Sequence, residues 1–394
     1  MKPHRYSFLF PFSFLFFIIQ VTAQVTDPDM KERFEAISKR SENKGLVEPF
    51  KGITTDGNVQ EGLFQIKPSG VSTNMVQTAA EKFLQSLSKA QKEQTLFPVD
   101  DDEWRKWMNQ HFYVRQGVSF HEMNESQRAV AFDLMKASLS AKGLKLSKDI
   151  MKLNFTLGEI NDDFEQYGQW LYNITIMGEP SATEPWGWQV DGHHLIVNYF
   201  VLGDQVVMTP TFVGSEPVIA ESGKFIGVSI LQEEQSMGLK MFQSMDKQQQ
   251  EQAIITTTKN GNNNLTEAFR DNVVLDYAGV KVSSFTTKQQ TQMLELINVY
   301  VGYMDDGHAK VKMEEVKAHL DNTWFAWIGG TEAYYYRIHS PVILIEFDHQ
   351  QPVATRQLYG TEPHPQHVHV VIRTPNGNDY GKDLLRQHYE VHEH

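Results

Sequence analysis

The chain has 394 residues, no cysteine, 40% hydrophobic content and a formal charge of −13. That length and apolar content point to a folded globular protein with a large core rather than a disordered one. The absence of cysteine excludes disulfides, thiolate metal ligands and cysteine nucleophiles, and the negative charge makes nucleic acid and anionic lipid poor partners.

Residues 1–23 carry Lys2 and Arg5 ahead of the apolar run FLFPFSFLFFII, then Val21-Thr22-Ala23 before Gln24. A basic start, a short apolar run and small residues are the pattern of a cleaved secretory signal, so a secreted or periplasmic location is expected. Its removal takes two positive charges with it, moving the balance from −13 to −15. No membrane insertion is expected of the mature chain. Residues 24–75 are poorly periodic and read as an extended lead-in segment.

From Val76 the pattern becomes helical, with Val76, Ala79, Ala80, Phe83, Leu84 and Leu87 at helix spacing. A second helix is expected over Asp101–His111, capped by its aspartates, and a third over 125–140, stopped by Gly143. The stretch 164–180 then alternates. WGWQVDGHHLIVNYFVLGDQVVMTPTFVG, 186–214, reads as two strands around a Gly203-Asp204 turn. Helical pattern returns over Leu231–Thr257, and KNGNNN, 259–264, reads as a loop. A helix over 285–304 leads to TWFAWIGGTEAYYYRIHSPVILIEFDHQ, 323–350, which echoes 170–201. The expectation is an α+β family domain over 76–394. Its antiparallel sheet is built from two degenerate helix-plus-β-hairpin repeats, about 121–214 and 285–373, with helices packed on one face.

Alternation turns the polar residues into geometry. In HVHVVIR, His367, His369, Val371 and Arg373 share one strand face, opposite Val368, Val370 and Ile372. In PVILIEFDH, Glu346 and Asp348 sit together on one face. In GHHLIVNYF, adjacent histidines on a strand face opposite ways, and His194 with Asn198 lies on the less apolar side. An HxH pair on a strand sets its side chains ~7 Å apart on one face, within reach of one ion. His194, His367 and His369 are therefore candidate ligands of a divalent metal. Zinc is the leading choice, and copper, iron and manganese suit the same donors. Glu346 is a candidate general base or fourth ligand, Asp348 an orienter of a histidine, and Arg373 a binder of an anionic substrate. Asn198, Trp188 and Tyr336 are candidate substrate contacts, the aromatic pair as a platform for a glycan or small molecule. Each assignment has a plainer alternative: histidines lining a solvated face, carboxylates paired with Arg337 or Arg373, and aromatics packing across strands. His388 and His392 have helix-pair spacing but fall in a terminal tail. Nothing in the sequence bears on oligomeric state.

The segments WGWQVDGHHLIVNY, TPTFVGSEP, YYYRIHSPVILIEFD and HVHVVIRTPNGNDYGKDLLRQHY resemble the secreted proteins grouped as domain of unknown function 3500, over about residues 75–392. The resemblance implies one shared fold and no particular activity. It extends to His194, Asn198, Glu346, His367 and His369. Where relatives tend to carry Trp-Arg-Asp-Pro, this chain has Ile372-Arg373-Thr374-Pro375, with Asp379 or Asp383 as the alternative replacements for the missing acid. These features together lead to a metal-dependent enzyme, a hydrolase by first choice. The alternatives are a copper or iron oxidoreductase and a non-catalytic glycan- or metal-binding protein.

Overall fold

A computed structural model describes residues 28–391. The expected signal segment lies outside the described residues. The first element corrects the extended lead-in: Pro28–Gly45 is a helix, α1, whose residues are mostly exposed. Residues 46–73 then run without helix or strand.

In α2 (Asn74–Ser86) the buried side chains are Val76, Ala80, Phe83 and Leu84, the stripe that helical spacing picks out. Ser88 caps the short α3 (Lys89–Thr95). The helix expected over Asp101–His111 is only a 3₁₀ turn, Asp102–Arg105, capped by Asp101. No apolar stripe extends it. In α4 (Glu125–Ser138) the Asn124 side chain accepts from the Gln127 amide, and Gln127 accepts from the amide of Asn124. Such a reciprocal cap is worth ~0.5–2 kcal/mol. Gly143 does not stop that helix; it lies in the first turn of α5 (Ala141–Asn161), capped by Ser140. The 231–257 stretch is α6 (Gln232–Gln243) and α7 (Lys247–Ala253), then a short strand. Next come α8 (Thr287–Val301), α9 (Asp306–Ala318), the single turn α10 (Arg356–Tyr359) and α11 (Lys382–Val391).

The strands are β1 (Leu96–Phe97), β2 (Val118–Ser119), β3 (Tyr172–Met177), β4 (Trp186–Gly192), β5 (Leu195–Leu202), β6 (Gln205–Val207) and β7 (Thr211–Ser215). After them come β8 (Ile254–Thr256), β9 (Val280–Lys281), β10 (Trp324–Gly329), β11 (Tyr334–His339), β12 (Leu344–His349) and β13 (Val368–Arg373). They form one sheet in the order β1-β3-β4-β5-β7-β13-β12-β11-β10-β8, with β2, β6 and β9 paired at its margins. Pairing is antiparallel except where β1 meets β3 and β8 meets β10. The 186–214 region thus holds four strands where two were expected. The first of the extra turns falls at His193-His194.

Period-two alternation sorts the sheet into two buried faces. Val368, Val370 and Ile372 join Ile345, Phe347, Tyr336, Trp188 and Tyr199 in the larger core, beneath α2, α4, α5, α6, α8 and α9. The second face carries Ile196, Phe200, Phe212 and Val371, and is covered by Trp104, Trp107, Tyr380 and α11. Long irregular segments complete that cover. The polar residues of β11, β12 and β13 lie under it.

Candidate metal centre

His194 occupies the turn between β4 and β5, with φ +62°, not a strand position. Left-handed backbone at a residue with a side chain is uncommon and carries strain. The turn is pinned on both sides: the His194 amide donates to the Asn109 carbonyl at 3.1 Å, and the Gly214 amide donates to the His194 carbonyl at 2.9 Å. Gly214 pairs in register with His369. A Cβ there would come within 2.5 Å of the Val368 carbonyl oxygen and 3.3 Å of both the His194 and His369 rings. Glycine is what lets the two imidazoles close over this position.

His367 and His369 reach the same point from β13 and the residue before it. His194 Nε2 lies 3.0 Å from His369 Nε2, and His367 Nε2 lies 3.1 Å from it. The three nitrogens fall within 4.8 Å of one another. Tetrahedral ligands at ~2.0–2.1 Å from zinc stand ~3.3 Å apart, so the spacing fits one ion. The three residues are only 4–6% exposed.

Tautomers make this convergence informative. His367 Nδ1 faces the Gln351 carbonyl oxygen at 2.8 Å, an acceptor only, so Nδ1 carries the proton. His369 Nδ1 faces Glu267 Oε1 at 2.8 Å, an oxygen that also accepts from Asn264 Nδ2 at 3.0 Å. Both rings, when neutral, therefore turn unprotonated Nε2 lone pairs toward each other. Burial disfavours a further proton: it holds His194 and His369 well below the ordinary histidine value, with repulsion from neighbouring histidines adding to the shift. His367 is also lowered by burial, against the pull of Glu216. Facing lone pairs repel unless a cation lies between them. Such outward Nδ1 donors to carboxylate and carbonyl are how metal-bound histidines are commonly held.

Glu216 and Glu267 were missed in the sequence. Glu216 Oε2 stands 3.6 Å from His367 Nδ1. Its Oε1 accepts from the Val353 and Thr355 amides and the Thr355 hydroxyl, fixing the 353–355 loop beside the centre. Burial would raise this carboxyl, but the His367 interaction and those donors hold it below its usual value. Glu267 keeps about a quarter of its side chain exposed (27%), yet the protein packed around its carboxyl pushes it up to about 7. Both come from loops with no spacing relation to the histidines, and only the polar loop after residue 258 hinted at one of them. His193 stacks on His194 at 4.0 Å between ring centres and bonds Asn154 through Nδ1.

The other expected site residues lie elsewhere or are occupied. Glu346 accepts from the Leu265 and Thr266 amides, the Thr266 hydroxyl and the Tyr335 hydroxyl. Asp348 pairs with Lys259 at 3.0 Å and accepts from the Asn263 amide and Gln350. Both carboxylates anchor the 259–267 segment, and neither joins the three histidines. Arg373 is fully buried, paired with Asp271 and Asp379 and bonded to the Thr266 and Glu267 carbonyls, so it has no donor turned to a substrate. Asp379 supplies the acid expected near it; Asp383 instead pairs with Arg386. Asn198 spends its amide on Gln189 and the Pro210 carbonyl. Trp188 and Tyr336 are fully buried in the helix-covered core, Trp188 stacked on Tyr199 and Tyr336 on Phe347, so neither is a substrate platform. His388 is buried in α11, and His392 lies outside the described residues.

No helix among the described residues is long and apolar enough to cross a membrane. No curated protein and no solved structure matches the chain significantly. A family model does match, over residues 69–382, which takes in the whole sheet and all three converging histidines. The chain belongs to the family described as Protein of unknown function (DUF3500).

Proposed function

We propose that this is a secreted metalloenzyme, a hydrolase acting on a small molecule through an ion held by His194, His367 and His369. The observation that carries the reading is the pair of Nε2 lone pairs set face to face at 3.1 Å by Nδ1 donors committed elsewhere. Three neutral nitrogen donors leave the full ionic charge in place and favour zinc, then copper or iron, over manganese. A metal so bound supplies a fourth position for water and lowers its pKa towards ~7. Glu346 and Asp348 have no part in this version, because the 259–267 segment occupies them. Glu267 and the Gln351 carbonyl orient the rings instead. Burial of the histidines to 4–6% exposure favours a small substrate over a polymer, and with Trp188 and Tyr336 in the core the glycan-binding reading loses its surface.

The test is metal analysis of untagged protein, followed by ester and amide hydrolysis with metal removed and restored. One tightly held zinc, and activity that follows it, supports the proposal; a protein that takes up neither zinc nor copper at micromolar concentration overturns it. Export is proposed on the residues before Gln24, and native protein that retains Met1 in mass spectrometry would refute it. A duplicated origin of the sheet is also proposed. It is supported by Gln127 and Gln289, which make matching caps and donate to Ser86 and Ser244 respectively. Superposition of 121–214 on 285–373 with strands out of register would refute that idea.

A further inference from the structure

Among the described residues, three arginines with buried side chains have carboxylate partners: Arg105 on Asp271, Arg115 on Asp191, and Arg373 on Asp271 and Asp379. Arg337, on β11, does not. It is 3% exposed and forms no ion pair among the described residues. Its Nη2 donates to the Asp276 carbonyl at 3.3 Å, but its Nε finds no acceptor. Glu346 stands across from it in register, but that carboxylate is turned to Thr266, Leu265 and Tyr335. Two positions along the same strand face is His339, 1% exposed, with neither ring nitrogen hydrogen-bonded. The Asp276 backbone lies near that ring and influences its charge, but without hydrogen-bond geometry.

A guanidinium does not lose its charge on burial, and an uncompensated buried charge is among the costliest defects a fold can carry. Residues two apart on a strand face lie ~7 Å apart, a gap into which one N–H from each can converge. The wall of the gap is aromatic: Tyr277 packs over His339 at 4.6 Å and stacks on Trp324 at 4.0 Å. The further cation there, Lys281, sits 4.9 Å over Trp324. The acceptors near the pair are the Asp276 carbonyl, which Arg337 Nη2 already uses, and the Glu346 carboxylate, which is turned to Thr266, Leu265 and Tyr335.

We propose that Arg337 and His339 form a binding site for a small inorganic anion, of chloride size, buried between β11 and the 276–277 segment. Arg337 Nε–H and one His339 N–H are its donors, and near-complete burial of both side chains excludes larger carboxylates and phosphates. The site stands apart from the histidine centre and does not depend on the reading of that centre.

The experiment is anomalous diffraction from crystals of the full mature chain grown in bromide, with thermal unfolding measured in chloride against gluconate at constant ionic strength. A bromide peak within ~3.5 Å of Arg337 Nε is expected, as for any hydrogen-bonded donor to a large anion. The unfolding midpoint should rise as chloride goes from about 1 to about 100 mM, as for any ligand of the native state alone. Arg337→Met should lose both effects. Wild-type crystals with a water in the gap and no peak overturn the proposal, and need no variant to do so. A peak without chloride-dependent stabilisation marks an adventitious ion only and overturns it too, as does a chloride effect unchanged in Arg337→Met.

Discussion

Glu267 is the residue whose alteration tests the candidate centre most directly without touching a ligand. Its Oε1 accepts from His369 Nδ1 at 2.8 Å, and His369 Nε2 is the nitrogen that the other two rings approach. A hydrogen bond to a charged acceptor contributes ~1.5–3 kcal/mol, against ~0.5–1.5 for a neutral one. At pH 8, above the carboxyl's value of about 7, Glu267→Gln keeps an acceptor oxygen and removes the charge, so it should weaken zinc by ~1 kcal/mol, roughly fivefold to tenfold. Glu267→Ala removes the whole contact and frees the ring to turn. A loss of ~10–100-fold is expected, nearer the lower end because a quarter of the side chain meets solvent. Competition against a chromogenic zinc chelator measures both, with circular dichroism confirming that each variant is folded. An alanine variant that binds zinc as the wild type does would show that the carboxylate does not position His369, and would remove the tautomer argument at that ring.

His367→Ala should abolish bound metal, whereas His364→Ala should leave it, since His364 stacks on Tyr359 and accepts from the Gln366 amide; equal loss in elemental analysis would mean only a loose cluster. Arg373→Met strands Asp379 and half of the Asp271 pairing in the interior, and urea unfolding should show a loss of ~3–5 kcal/mol. Recovery of part of that loss by adding Asp379→Asn is expected; an undiminished stability in the single variant would contradict the buried pairing. His349 accepts from the Tyr334 amide through Nδ1, so it is held neutral, and burial first, then Lys259, lowers it from 6.5 to about 3. The unfolded chain then binds the extra proton below 6.5, so this contribution is complete above that pH and is lost as pH falls towards 3. At pH 5 the loss is roughly 2 kcal/mol, and unfolding of His349→Gln at pH 7 and pH 5 should lack it; an unchanged pH dependence would refute the assignment.

Strand alternation carried the sequence reading furthest. His367, His369 and Arg373 do share a face opposite Val368, Val370 and Ile372, because both sides of β13 are buried and only one can take polar groups. His194 does converge with His367 and His369, but from a turn and not from a strand face. Its turn has neither the glycine nor the asparagine that usually marks left-handed backbone, so it read as strand. The same alternation, applied to Trp188, would have put it beside Trp186 and Val190 in the core rather than at a platform. The role of Arg373 was lost for another reason: its partners Asp271 and Asp379 come from segments whose approach no local pattern encodes. Glu216 and Glu267 belong to that class as well. α1 went unread because its sequence, PDMKERFEAISKRSENKG, is mostly charged and polar and has few apolar residues to mark a period.

Among the described residues β13 is the last strand in chain order, made after all the others, and it lies in the middle of the sheet, between β7 and β12. Its contact with β7 joins positions as distant as Thr211 and Ile372. Until it docks, the protein is two half-sheets, each with an open inner edge able to pair with the wrong neighbour. The same insertion brings His367 and His369 to the waiting turn at His194, so the seam closes and the nitrogen trio forms in a single act. An ion, were the three nitrogens to hold one, would act as a clasp fastened after the halves have met, its identity set by the surroundings of the chain at that moment. A chain truncated before Val368 would lose the strand that joins β7 to β12, and its halves would be left with helix-layer contacts such as the Ser140 amide on the Tyr303 carbonyl and Lys142 on Glu234.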